Sequence, residues 1–248
     1  MPHRFRYWLT EVQDSHREEK IVEGCELYRE AKAREKEGER TISMDEMTHV
    51  QAVERLHPDL PMQPGHVVRR EFEYIRHGTL TCFLNLDIFT GKVIAPSFGN
   101  TRTEADCLAH MRHLIASDPR ALKWRVIMDN LNTHQAEALV RWIAEMEGVP
   151  EEVLGEKGKN GHLQSMETRA AFLHDPIHKI VFYYTPKHAS WMNQVEIWLS
   201  ILVRKLLKRG NFCSVDDLQY QILAFIAYYN RTMAKPFKWT YTGLKEVA

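Results

Sequence analysis

Three acidic residues, far apart in the chain, have the types and settings of ligands for a divalent metal ion. Asp45 and Asp129 each end a short apolar run that is typical of a buried strand, and Glu196 lies about one turn into an amphipathic helix. Carboxylate oxygens are the ligands that Mg²⁺ and Mn²⁺ prefer. A site that holds two such ions can activate water or a 3′-hydroxyl and stabilise the leaving oxygen of a phosphodiester. The sequence therefore predicts metal-dependent chemistry at these three carboxylates.

Two of the three carboxylates also have an ordinary structural explanation. Asp45 has the type and position of a turn or helix-capping residue, and Glu196 is on a helix where a surface glutamate is common. Asp129 is the strongest candidate, because an ionised carboxylate beside a central strand is costly unless it is paired or metal-bound. Glu46 is a weaker candidate, since it points away from Asp45 if the strand continues.

Polar neighbours are expected to support these ligands. Asn130 and Asn193 can orient the nearby carboxylates, and His134 is predicted to be a helix cap or a supporting group rather than a ligand. Downstream of Glu196 we expect phosphate contacts, although cations at the end of a helix are also stabilised by its dipole. The four basic residues concerned are Arg204, Lys205, Lys208 and Arg209.

Composition and motifs exclude several classes of protein. The formal net charge is zero, but residues 176–248 have 10 Lys and Arg against 4 Asp and Glu, enough for local phosphate contacts. No apolar run of about 18 residues predicts a membrane span, and the N-terminus lacks the apolar core of a signal peptide. Four scattered cysteines favour reduced thiols in a cytosolic protein. The motifs of nucleotide loops, serine hydrolases and zinc sites are absent.

Apolar spacing and turn residues divide the chain into helices and strands. Thr103 and Asp106 are typical of a helix start, and Gly148 with Pro150 is typical of a helix end. The prolines and glycine of residues 56–66 exclude regular structure there. The predicted strands are residues 41–45, 68–77, 79–88, 92–98, 124–128 and 179–186, and the predicted helices are residues 14–38, 101–117, 134–148, 190–209 and 214–230.

The order of these elements predicts an α/β fold, in which a mixed sheet has helices on both faces. Residues 68–98 form an antiparallel meander in this prediction, with Gly78 and Gly91 at its bends. Residues 148–178 are a polar insertion with about one helical turn near residues 166–173, and such an insertion can loop out without disturbing a site.

The sequence blocks around the three carboxylates resemble a known family. Asp45 is in SMDEMT, Asp129 in MDNLNTHQ, and Glu196 in TPKHASWMNQVEIWLSILVRKL. Together with RREFEYIRHGT, TGKVIAP and NRTMAKPFKWTY, these blocks are similar to the DDE transposases of bacterial insertion sequences, in the insertion sequence 630 and mariner group. The similarity runs from about residue 40 to the end. It implies an RNase H-like fold with a mixed five-stranded sheet, and it makes Asp45, Asp129 and Glu196 the catalytic, metal-binding carboxylates.

The same resemblance implies an activity and partners. Members of the family cleave transposon ends and join the 3′-hydroxyl to target DNA. The expectation is a Mg²⁺-dependent DNA endonuclease and strand transferase, with Mn²⁺ able to substitute, that binds terminal inverted repeats and target DNA as a homodimer. It would act in the bacterial cytoplasm, at the nucleoid when bound to DNA. Residues 56–66 correspond in place to the loop with which mariner-like enzymes clamp a second subunit.

The N-terminal region differs from the family pattern. Relatives have an N-terminal helix-turn-helix region that reads the inverted repeats, whereas HRFRYWLT corresponds only to its last fragment. We therefore predict a helical remnant or linker at residues 1–40 and the catalytic domain at residues 41–248. Two alternatives stay open: a non-transposing RNase H-like nuclease, and an inactive domesticated remnant that only binds DNA.

Overall fold

The computed structural model describes residue 14 and residues 16–242 of the chain. The HRFRYWLT motif lies outside the described residues. The strands are β1 (Glu39–Arg55), β2 (Tyr74–Asp87), β3 (Val93–Gly99), β4 (Lys123–Met128) and β5 (Ile180–Tyr184). The helices are α1 (Arg17–Lys36), α2 (Glu104–Ala116), α3 (Glu137–Glu147), α4 (Glu151–Leu154), α5 (Met166–His174), α6 (Val195–Leu202) and α7 (Val215–Thr232).

The five strands form one mixed sheet in the order β3-β2-β1-β4-β5. β1 is central: it pairs antiparallel with β2 and parallel with β4. β3 is antiparallel to β2, and β5 is parallel to β4. The predicted α/β fold with a mixed five-stranded sheet is confirmed.

Helices cover both faces of the sheet, as predicted, and each face has its own apolar core. Helices α1, α6 and α7 pack on one face, where Ile127 of β4 is buried. Helices α2, α3 and α5 pack on the other face, against Val126 and Met128 of the same strand. Successive strand residues point to opposite faces, so β4 is buried on both sides. None of the described helices is both long and apolar enough to cross a bilayer.

The strands near the meander differ from the prediction. β1 is much longer than the predicted strand at residues 41–45, because its second half also pairs with β2. A register shift between Met47 and Val50 lets this long strand bend. Gly78 lies inside β2 opposite Ala52 rather than at a bend, so the predicted strand boundary there is wrong.

The helix boundaries near the predicted site also differ. A 3₁₀ turn at Asn132–Gln135 precedes α3, because the extended backbone of Ala136 interrupts the helix. The predicted helix over residues 190–209 is a 3₁₀ turn at Ser190–Met192, then α6, then a π-helical stretch at Val203–Leu207. The predicted helix start at Thr103 is confirmed, since its side chain and that of Asp106 form a capping box.

The segment at residues 148–178 does not loop out from the domain. It contains α4 and α5, and it places Leu154, Leu163 and Leu173 in the core beside α3. Each of these leucines is at most 1% exposed. Because polar residues separate these leucines, the sequence has no apolar period that would predict their burial.

Candidate metal centre

The pairing of β1 with β4 brings the first two predicted carboxylates together. The parallel ladder runs from Glu39 opposite Lys123 to Ser43 opposite Ile127. Continued by two residues, the same register sets Asp45 opposite Asp129. Neighbouring strands lie about 4.8 Å apart, and alternation places both residues on the face of Ser43 and Ile127. The sheet therefore sets two carboxylates side by side.

The electrostatics of Asp45 show the effect of this crowding. Burial raises the pKa of its carboxyl group, and the negative charges of Asp129 and Glu46 raise it further, to about 7. One oxygen, Oδ1, accepts a hydrogen bond of 2.8 Å from the backbone N–H of Glu46. Its Oδ2 accepts no hydrogen bond from any residue that the structure describes. A bound cation at this point would relieve the repulsion between Asp45 and its acidic neighbours Asp129 and Glu46.

Asp129 is held more firmly, by His134 and by the backbone. Its Oδ1 accepts a hydrogen bond of 3.0 Å from the Leu131 N–H and lies 2.7 Å from His134 Nδ1. Burial opposes the ionisation of Asp129, but the bond and the charge of His134 outweigh it and lower the pKa of Asp129. The Asp129 side chain is 38% exposed, so this carboxylate is accessible to a cation.

His134 also contacts Glu46, which the sequence analysis rated as a weaker candidate. The His134 Nε2 lies 3.0 Å from Oε2 of Glu46, and their side chains are 1% and 3% exposed. Burial of the imidazole opposes its charging, but the two carboxylates outweigh burial and raise the pKa of His134 to about 10. On the solvent side of Glu46, the distance from Arg102 Nη1 to Glu46 Oε1 is 3.4 Å. The sequence marks Glu46 only as the weaker candidate beside Asp45, and nothing in it distinguishes Arg102 from other solvent-exposed residues.

The start of α6 is bonded to β1 beside Asp45. The Val195 N–H donates to Ser43 Oγ at 2.8 Å, and the buried Asn193 donates from Nδ2 to the Met44 carbonyl at 2.9 Å. The Ser43 hydroxyl in turn donates to Asn193 Oδ1. These bonds anchor Val195, the residue before Glu196, to Ser43, which lies on the same face of the sheet as Asp45. Asn193 therefore positions the helix that contains Glu196.

The Glu196 side chain is not gathered with the two aspartates. Glu196 is the second residue of α6, partly exposed, and its carboxylate has no hydrogen bond or ion pair to any described residue. Within residues 14 and 16–242, no group of three His, Cys, Asp or Glu side chains is arranged to hold a metal ion. The structure thus contains a two-carboxylate pair, with the backbone of the third predicted ligand anchored nearby.

The other predicted residues lie around this pair and beyond it. Asn130 donates from its side chain to the Thr185 carbonyl and accepts from Gln135 at 3.3 Å, so it links the ends of β4 and β5. The four predicted phosphate contacts are all exposed, and none has a carboxylate partner among the described residues. They lie in or just after the π-helical stretch: Arg204, Lys205, Lys208 and Arg209.

The donor set fits a divalent cation that prefers oxygen. Asp45 and Asp129 each keep Oδ2 without a hydrogen-bond donor among the described residues, and their charges repel. Hard cations such as Mg²⁺ and Mn²⁺ bind oxygen ligands of this kind. The pair can therefore bind such an ion, whose charge would offset the repulsion.

The raised pKa of Asp45 predicts how stability depends on pH without metal. The folded state disfavours its ionised form, so stability is lost as pH rises from about 4 to about 7. Asp45→Asn removes this loss and should be more stable than wild type by about 1–3 kcal/mol at pH 8. Urea unfolding in EDTA at pH 4 and pH 8 measures the difference.

Asp216→Asn, at an exposed residue of α7, is the control and should show no such gain. Addition of Mn²⁺ should stabilise wild type more than Asp45→Asn, because only wild type keeps both carboxylates. A wild-type stability that stays level with that of Asp45→Asn from pH 4 to pH 8 would contradict the crowding of the two aspartates.

Comparison with known proteins identifies a family for the chain. Residues 40–219 match the family model described as DDE superfamily endonuclease, and this range includes all three predicted carboxylates. No curated protein matches the chain.

Three solved structures are similar in fold. A Mos1 mariner paired-end complex with Mn has a TM-score of 0.53 at 14% identity, over 92% of this chain and 60% of that chain. A Mos1 transposase paired-end complex with the left transposon end has a TM-score of 0.51 at 15% identity, over 92% and 59%. A pre-cleavage Mos1 transpososome has a TM-score of 0.51 at 15% identity, over 92% and 60%.

The chain thus spans about 60% of the length of these solved chains. The fold is RNase H-like, as the resemblance implied. The match of the family model over most of the chain confirms the predicted membership of the DDE superfamily. This chain belongs to the DDE superfamily of endonucleases.

Proposed function

We propose that this chain is the catalytic domain of an insertion-sequence transposase, which cuts DNA at transposon ends and joins the 3′-hydroxyl to target DNA. The observation that supports this most directly is the parallel register of β1 and β4, which, continued by two residues, sets Asp45 opposite Asp129. Family membership gives that pair a chemical context. Mg²⁺ is the proposed cofactor, with Mn²⁺ able to replace it.

In this proposal Asp45 and Asp129 hold the metal through their Oδ2 atoms, which accept no hydrogen bond from a described residue. Bound divalent ions would activate water or a 3′-hydroxyl and stabilise the leaving oxygen of the phosphodiester. Hydrogen bonds from the Glu46 N–H and from His134 keep the two carboxylates in fixed orientations. The protein therefore supplies a rigid pair of anionic ligands.

Glu196 is proposed as the third ligand, reached by rotation of its side chain. Its helix is bonded to β1 through Val195 and Asn193, so its backbone is already in place. No hydrogen bond to a described residue must be broken for the carboxylate to turn. Rotation about side-chain bonds costs on the order of 1–2 kcal/mol in lost freedom, which metal coordination can offset.

DNA is the proposed partner, as terminal inverted repeats and as target. The similar Mos1 structures are described as paired-end complexes, one of them with the left transposon end. In this chain, the exposed basic residues after α6 form a surface that continues onto the 56–73 segment, where Arg70 donates to the Lys208 carbonyl at 3.3 Å. Clustered cations of this kind provide phosphate contacts.

A homodimer is proposed through the segment at residues 56–73. Two isolated bridges, Leu60 with Arg69 and Gln63 with His66, fold it into a narrow hairpin. Its apolar residues are unusually exposed, with Phe72 at 85% and Met62 at 74%. Exposed apolar residues grouped in this way are typical of an interface between protein chains.

The expected location is the bacterial cytoplasm, at the nucleoid when DNA is bound.

Cleavage and joining of DNA test the proposed activity. Wild type should cut DNA that contains the transposon ends in Mg²⁺ or Mn²⁺. Asp45→Asn, Asp129→Asn and Glu196→Gln should each lose at least about 100-fold in rate, because each removes a charged metal ligand. Gel assays that resolve nicked, cut and joined products measure the outcome.

The exposed Asp216→Asn variant should keep wild-type activity in the same assay. Cleavage without joining would favour a non-transposing nuclease instead. Equal cleavage by wild type and Asp129→Asn would place the active site elsewhere, and binding without any cleavage would favour a domesticated remnant.

The salt dependence of DNA affinity tests the basic surface. Arg204→Ala with Lys205→Ala should reduce the slope of log K against log salt concentration by about 2, since each phosphate contact contributes about 0.9. Fluorescence anisotropy at several salt concentrations measures the slope. The control is the double variant Lys157→Ala with Lys159→Ala. These lysines follow α4, near the core on the other face of the sheet from α6, and their loss should leave the slope unchanged. Equal slopes in all three proteins would exclude this surface.

Sedimentation velocity tests the dimer. Wild type should sediment as a dimer, and Met62→Ser with Phe72→Ser should sediment as a monomer with unchanged thermal stability, because both side chains are exposed in one copy. Ile177→Ser is the matched control, since Ile177 is 79% exposed on a different segment. A dimer that persists in the double variant would locate the interface elsewhere.

A further inference from the structure

Glu46 is a buried acid for which neither the fold nor the proposed chemistry has yet given a reason. It follows Asp45 on β1, and alternation directs it away from the aspartate pair. Its side chain is 3% exposed, and a buried carboxylate is costly unless it is paired. Its main partner is His134, whose side chain is equally inaccessible at 1% exposure.

His134 links Glu46 to Asp129 through the two nitrogens of one ring. Nε2 lies 3.0 Å from Glu46 Oε2, and Nδ1 lies 2.7 Å from Asp129 Oδ1 and 3.2 Å from the Asp129 backbone carbonyl oxygen. The backbone at His134 is also fixed, because the Tyr184 hydroxyl donates to its carbonyl at 3.0 Å. A flip of this ring would replace both nitrogens with carbons, so the bond to Glu46 keeps Nδ1 directed at Asp129.

The link determines which oxygen of Asp129 is free. His134 and the Leu131 N–H both engage Oδ1, which leaves Oδ2 for a cation. We propose that Glu46 is a positioning residue for the metal centre, which acts through His134 to fix the Asp129 carboxylate in its ligating orientation. This inference rests on the proposed metal-dependent function, and it adds a residue that acts through His134 rather than as a metal ligand.

Direct Mn²⁺ binding tests the inference apart from catalysis. Isothermal titration of the purified full chain should show about tenfold weaker Mn²⁺ binding for Glu46→Gln, which keeps an acceptor for His134 but loses the charge. Glu46→Leu and His134→Gln should weaken binding by about 10–100-fold, the range typical when a group behind a metal ligand is removed. In cleavage assays these variants should need more Mn²⁺ for half-maximal rate, and Glu46→Gln should approach the wild-type rate at saturation.

Glu54→Gln is the matched control. Glu54 is on the same strand and also pairs with a histidine, His77, at 2.7 Å, but it lies beyond the register shifts of β1 and far from Asp45. This variant should bind Mn²⁺ as wild type does. A purely structural role for Glu46 would lower the melting temperature and leave Mn²⁺ affinity unchanged in the folded protein.

Two different failures can be told apart. If Asp129→Asn abolishes Mn²⁺ binding while Glu46→Gln and His134→Gln bind as wild type does, the positioning role is wrong and the metal site stands. If wild type and Asp129→Asn bind Mn²⁺ equally, the proposed function itself is wrong. Should Glu46→Leu fail to fold, the near-isosteric Glu46→Gln and the His134→Gln variant decide the matter.

Discussion

The parallel pairing of β1 with β4 is the interaction on which the candidate site depends. Its register sets Asp45 opposite Asp129, and a slip of one residue would move Asp45 to the other face of the sheet. The two cores oppose such a slip, because Ile42 and Met44 are fully buried on the face away from the aspartates. Apolar packing on one side of the strand thus fixes the position of charge on the other side.

That placement works against stability. Two partly buried carboxylates repel each other, and burial disfavours their ionised forms. His134 offsets part of the charge, but it lies against Asp129 rather than between the two acids. Local conflict of this kind is expected at functional sites, where the rest of the fold compensates for it. A divalent cation bound between the two carboxylates would replace their mutual repulsion with attraction to the metal.

Sequence reasoning found what a local pattern can encode. Asp129 is recognisable because it ends the apolar run before it, and the capping box at Thr103 depends on residues three apart. Glu46 was only a weaker candidate, and its pairing with His134 could not be predicted, since the two residues are 88 positions apart and an acid in a half-buried strand normally faces solvent. Residues 148–178 read as a polar insertion in the sequence because isolated leucines among polar residues have no period. The missing information is tertiary in each case.

The three predicted ligands differ in how firmly they are held, and this difference constrains how the site can be completed. Asp129 is bonded on one oxygen by two donors, Asp45 by one, and Glu196 by no described residue. The backbone beside Glu196 cannot move freely, because Asn193 and Val195 are bonded to β1, and Tyr28 of α1 donates to the Met192 carbonyl at 2.7 Å. In the proposed site, Glu196 would therefore join the two aspartates by rotation of its side chain rather than by movement of a helix. The attraction between a cation and a third carboxylate would supply the energy for that step.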